Sequence, residues 1–247
     1  MAISTGDFSL FHDLVRLLRD RDEPFITLSP NEEVPATVSV LITAPGEGSR
    51  HHRVVSESDA RTAVLKALWL REGLDDMRLI IGVDPGARPG YALTANGRVL
   101  ESGTVSSPEE LQCLVGSTID SLSPRSTLLR IGHGDPLNRD RSTRCLWPLV
   151  DEVQVVDESR TSGKSPTDHI AAAESISRTE GVRLETVPEL LHSPGALREI
   201  QRVSRRVSGD VTITTALAED VAHGRLSMEQ AIESQRVRAS ERRPGSS

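Results

Sequence analysis

The chain alternates between two hydrophobic rhythms, and their order sketches its architecture. Phe8, Phe11, Leu14, Leu17 and Leu18 recur at helical spacing, which predicts an amphipathic helix over 8–20 with Asp7 as its N-cap. Residues 24–28 and 36–43 read as strands, 47–57 as a polar connection, and 59–71 as a second helix closed by Gly73. A richer stretch follows. The apolar, β-branched run at 78–83 predicts a buried strand. Strands at 90–96 and 98–105 follow it, with Asn96-Gly97 as a hairpin turn. A helix is expected from Ser107-Pro108 to Leu122, a strand over 128–131, a helix over 138–149, a strand over 153–156 and a helix over 168–179. Three helical patterns close the chain, at 194–207, 214–222 and 227–235. Ser227 and Gln230 have capping-box spacing.

The expected organisation is therefore a small α/β unit at 1–75, a larger α/β domain at 76–190 and a helical extension at 191–237. A disordered tail is expected at 238–247. Three meandering strands followed by alternating helices and strands imply a mixed sheet covered by helices.

Composition narrows the class. Aromatics make up only 2% of the 247 residues, so aliphatic side chains must fill the core. No apolar stretch reaches membrane-spanning length, and Met1 to Ser9 lacks the cationic start of a signal peptide. Cys113 and Cys145 stand apart without metal-like spacing, as expected of buried apolar filler in a reducing cytoplasm. Adjacent His51 and His52 are expected on different faces, which argues against a shared metal. The formal net charge of −7 is not that of a general nucleic-acid coat.

The candidate chemistry gathers around Val83-Asp84-Pro85-Gly86. An acid ending a buried strand lies where open α/β sheets bind ligands. Pro85-Gly86 also allows Asp84 a plain turn-forming role. Glu158 and Asp168 flank the end of a later strand, and Asp168 equally suits a helix N-terminus. Asp135, beside Gly134 and Pro136, is a further ligand candidate or a loop residue. Histidines 133 and 169 are more simply structural or exposed than catalytic. Arg139, Arg141, Arg144, Arg160 and Lys164 flank the expected strand ends and suit phosphate contacts, or merely form a solvated face.

These residues also carry a family resemblance, over about 78–181. The run Ile81-Gly82-Val83-Asp84-Pro85-Gly86-Ala87-Arg88-Pro89-Gly90-Tyr91-Ala92 resembles the first strand pair of RuvC-type Holliday-junction resolvases. Asp157-Glu158-Ser159-Arg160-Thr161-Ser162 resembles the Asp-Glu-Arg-x-Thr/Ser-Thr/Ser stretch of the YqgF (RuvX) branch, with the arginine one place later. Asp168-His169-Ile170-Ala171-Ala172 is similar to the start of the last helix in both branches. Gly132 to Asn138 is similar to the Gly-x-Pro-Leu-Asn loop of the YqgF branch. The resemblance implies a ribonuclease-H-like mixed five-stranded sheet. It implies Asp84, Glu158 and Asp168 as catalytic ligands of Mg²⁺ or Mn²⁺, with Asp135 as an optional fourth, and Asp84 and Glu158 ending neighbouring strands. It further implies a cytoplasmic nuclease acting on structured DNA or RNA, as a homodimer if cleavage is paired. The competing reading is a catalytically inactive nucleic-acid-binding or scaffolding protein on the same fold. An actin-type or sugar-kinase-type ATP site fits poorly. Ala87-Arg88-Pro89 stands where that class places a phosphate-binding hydroxyl, and no second lobe is visible.

Overall fold

The computed structural model describes the chain apart from residues 31, 49–50, 74–76, 158–167, 189–193, 223–224 and 242–247. Two sheets organise the first three quarters of it. Sheet A contains β1 (Ala2–Ile3), β2 (Ile26–Thr27), β3 (Leu41–Thr43) and β4 (Val54–Ser56), all parallel, in the order β2-β1-β3-β4. Helix α1 (Phe8–Asp20) buries Leu10, Leu14 and Leu18, and the Asp7 carboxylate caps it by accepting from the Leu10 amide. Helix α2 (Ala60–Arg71) buries Ala63 to Leu65 and Ala67 to Trp69.

Sheet B is mixed and holds β5 (Arg78–Asp84), β6 (Gly90–Ala95), β7 (Arg98–Thr104), β8 (Ser126–Gly132), β9 (Glu152–Val156) and β10 (Val182–Arg183). Its order is β10-β9-β8-β5-β6-β7. Strands β5, β8 and β9 run parallel, while β5-β6, β6-β7 and β9-β10 are antiparallel. The five expected strands are all present, with β5 inside the sheet, and β10 adds a short sixth. One adjacency differs from expectation. Strand β9 pairs with β8 and not with β5, so one strand lies between the strand of Asp84 and the strand preceding Glu158. A right-handed crossover through a helix can insert its strand beside either parallel neighbour, and local pattern does not say which.

Helices cover both faces. The sequence pattern also located α3 (Pro108–Leu122), capped by Ser107, and α4 (Pro136–Leu146), which begins two residues before the expected start. Helix α5 (His169–Arg178) follows β9. Strand parity assigns the faces. Leu79, Ile81 and Val83 of β5 enter a core shared with α1, α2 and α3. Ile80, Gly82 and Asp84 alternate to the other face, where α5 lies. A Cβ on Gly82 would stand 2.3 Å from the Ala173 carbonyl oxygen, and one on Gly90 would stand 2.2 Å from that of His169. The two glycines are therefore what let α5 lie directly on β5 and β6.

One continuous hydrophobic cluster runs from Ile3 to Val153 and so joins sheet A, its helices and sheet B. A polar hub lies in the same junction. Glu101 of β7, 8% exposed, accepts from Tyr91 Oη at 2.6 Å and Arg61 Nε at 3.0 Å, with Arg21 3.7 Å away. Arg61 also donates to Thr118 of α3 at 3.1 Å. Burial, and then the adjacent Glu101 carboxylate, raise the Tyr91 pKa and keep the phenol protonated. Nearby, Glu23 binds Arg71 of α2 at 2.6 Å and pairs with Arg98 of β7.

The last helices, α6 (Pro194–Ser208), α7 (Thr215–Ala222) and α8 (Met228–Glu241), pack around a separate cluster of Leu197, Ile200, Ile213, Leu217, Ala218, Ala222, Ala231 and Ile232. Helix α8 extends to Glu241 and so occupies the first residues of the tail expected to be disordered. The rest of that tail, 242–247, lies outside the described residues.

Smaller expectations change as well. Residues 36–40 precede β3 instead of belonging to it, and β1, β4 and β10 are too short to show a period. Cys113 is exposed and Cys145 half-buried, so neither is core filler. The His51 and His52 rings lie 4.5 Å apart and tilted together, not on opposite faces.

Two outcomes follow from this packing. Gly90→Ala should destabilise the protein by about 1–3 kcal/mol or more in urea unfolding, because the added methyl meets backbone that cannot move aside. The second concerns acid. Burial pushes the Glu23 pKa up, but the hydrogen bond and charge of Arg71, with Arg98, outweigh it and hold the carboxyl below its ordinary 4.5. Its contribution is thus fully present above the unfolded value and lost as pH falls through the lower folded value. The urea-midpoint difference between wild type and Glu23→Gln should be constant near neutrality and shrink below about pH 4.3.

Candidate active site

Parallel strands β5, β8 and β9 all end on one rim of sheet B. The chain leaves that rim at Asp84, at His133 after β8 and at Asp157 after β9, and returns to it where α5 begins. The β8 and β9 ends are tied together by the His133 amide, which donates to the Val156 carbonyl at 2.9 Å.

Asp84 is the last residue of β5, and its side chain is 15% exposed. It points to the face that α5 covers. Because Gly90 sits opposite it in the β5-β6 register, the first turn of α5 comes down beside it. His169 Nδ1 then lies 2.6 Å from Asp84 Oδ2. This carboxylate–imidazole pair joins the end of β5 to the start of α5. The contact fixes the ring against the carboxylate, and the imidazole is the more exposed partner of the two. From the sequence alone His169 is more simply structural or exposed than catalytic. Helical start and glycine spacing were visible in the sequence, but their meeting across 85 residues was not.

The other expected acids have distinct placements. Asp168 is the N-cap of α5, its Oδ1 accepting from the Ala171 amide at 3.0 Å. It precedes His169 directly and so shares the rim with Asp84. Asp135 caps α4 from a left-handed backbone conformation, φ 32°, accepting from the Asn138 amide at 3.3 Å and from Asn138 Nδ2 at 2.6 Å. Glu158 lies outside the described residues, as do Arg160 and Lys164.

Three of the expected phosphate-binding arginines belong to α4. Arg139 pairs with Asp140 at 2.8 Å, Arg141 with Glu109 of α3 at 2.8 Å, and Arg144 donates to the Pro188 carbonyl at 3.2 Å. Arg139 and Arg141 are thus locally neutralised.

A divalent ion of the magnesium type asks for hard oxygen ligands. Asp84 and Asp168 supply carboxylates of that chemistry at one helix start. Among the described residues, however, no three His, Cys, Asp or Glu side chains gather to hold an ion. The described residues alone therefore do not make a metal centre.

Comparison with known proteins finds similarity at the two ends of this α/β chain. Residues 1–70 match the family model of a response regulator receiver-like domain, and residues 193–238 match that of a three helical bundle domain. Both matches fall outside residues 78–181. No curated protein and no solved structure matches the chain. No helix among the described residues is long and apolar enough to cross a membrane.

The capping role of Asp168 can be separated from any ligand role. Asp168→Ala should cost about 1 kcal/mol in urea unfolding, and Asp168→Asn only a few tenths, since the amide oxygen still accepts from Ala171. A loss of function in Asp168→Asn at unchanged stability would then report chemistry and not capping.

Proposed function

We propose that the chain is a Mg²⁺- or Mn²⁺-dependent phosphodiesterase acting on structured DNA or RNA in the cytoplasm. Asp84, Glu158 and Asp168 are its catalytic and metal-binding carboxylates. The observation that carries the reading is the position of Asp84, at the end of an inner strand of a ribonuclease-H-like sheet and against the start of α5. The metal, when bound, supplies charge neutralisation at the phosphate and an acidified water. The protein's own part is placement. Asp84 is held by β5, Asp168 by the first turn of α5, and Gly90 sets the distance between them. His169 orients the Asp84 carboxylate and offers a proton-exchanging group beside the scissile phosphate.

A second reading has its own support. Asp84 is already engaged by His169, and residues 1–70 are similar to a regulatory receiver-like domain. Both suit a catalytically inactive nucleic-acid-binding or scaffolding protein.

The discriminating experiment offers a four-way DNA junction and a structured precursor RNA to the full chain with Mg²⁺ or Mn²⁺. Cleavage by wild type, abolished in Asp84→Asn, is the expected result. An inert wild type that also gives no Mn²⁺ binding heat in calorimetry overturns the nuclease reading in favour of the second.

A further inference from the structure

Helix α6 carries four arginines and a single acid, Glu199, within 15 residues of a chain whose formal net charge is −7. Leu197 and Ile200 are buried in the terminal helical cluster, while Val207 near the helix's end is exposed. Arg198, Arg202, Arg205 and Arg206 lie on the outer side. With Gln201 and Thr212 they line an open groove of about 520 Å³. The far wall is fixed in place. Gln201 Nε2 donates to the Ile213 carbonyl at 2.9 Å, and Ser204 Oγ accepts from the Ile213 amide at 3.1 Å. Glu199 pairs with Arg202 and lies 3.8 Å from Arg206, so one carboxylate is shared between two guanidiniums. Arg205 donates to the Asp210 backbone carbonyl at 2.9 Å. The groove therefore keeps a surplus of positive charge.

We propose that this groove is a docking surface for the phosphate backbone of a nucleic acid. The reading above supplies the partner class, and this inference adds a second contact surface on a helix remote in sequence from the Asp84 rim. Charge complementarity argues for a polyanion. Arg198 and Arg206 are eight residues apart, about 12 Å along the helix, which spans several successive phosphates of a duplex. Guanidiniums bind phosphate oxygens in a fixed two-pronged geometry. A lipid surface fits less well. A membrane-lying basic helix inserts its apolar face, and here Leu197 and Ile200 of that face are already buried in the terminal cluster.

The test measures fluorescence anisotropy of a labelled duplex of about 30 base pairs with the full chain, across about 50 to 300 mM salt. Arg198→Gln with Arg206→Gln should weaken binding roughly tenfold at about 0.1 M salt and lower the log–log salt slope by about two. Both side chains are exposed, so the thermal midpoint should not move. Arg178→Gln with Arg183→Gln removes the same charge elsewhere and should leave the affinity near wild type. An equal loss in that control overturns the proposal, because net charge alone would then explain binding. So does an unchanged salt slope in the groove variant, or binding to phosphatidylserine vesicles in preference to the duplex. A chain that cleaves nothing and gives no Mn²⁺ binding heat, yet shows groove-dependent binding, removes the nuclease reading and leaves this one standing.

Discussion

Helix α5 lies flat on sheet B because positions 82 and 90 carry no side chain, and the candidate site depends on that contact. A methyl group at either glycine would collide with helix backbone, which cannot rotate away as a side chain can. With both absent, Ala173 and Ser177 are buried against the strands, and the first turn of the helix is delivered to the C-terminal end of β5. Polar contacts reinforce the seat. Arg130 of β8 donates to the Ser177 carbonyl at 2.8 Å, and Ser102 of β7 donates to Glu174 at 2.9 Å. Asp84, Asp168 and His169 share one rim as a consequence of this close approach.

The opposite face of sheet B solves a different problem. It must join sheet B to sheet A and its helices, and it does so with apolar packing around a buried acid. Glu101 is tolerated there because a phenol and a guanidinium bond it directly and a second guanidinium lies close. Removing one partner would strand the others in a poorly solvated place, which makes such a junction specific as well as cohesive. The two faces thus divide the labour. One is thick and joins the units, and the other is thin and places the rim residues.

Charge is distributed with similar asymmetry. The chain as a whole is acidic, while α6 concentrates arginine on the side its neighbours leave open. A polyanion approaching such a molecule is repelled over much of the surface and attracted to a defined groove, which favours orientation over indiscriminate binding.

Local signals in the sequence determined the long periodic elements. The helices at 8–20, 59–71 and 108–122, the hairpin at Asn96-Gly97 and the strand ending in Asp84 all follow from side-chain period, caps and turn chemistry, which act over a few residues. Strands of two or three residues, such as β1, β4 and β10, carry no period and exist only through their partners. The order of β8 between β5 and β9, the seating of α5 on two glycines and the Asp84–His169 pair were decided by tertiary structure alone. Each is a contact between segments tens of residues apart, and its energy comes from close packing and desolvation that no single stretch of sequence contains.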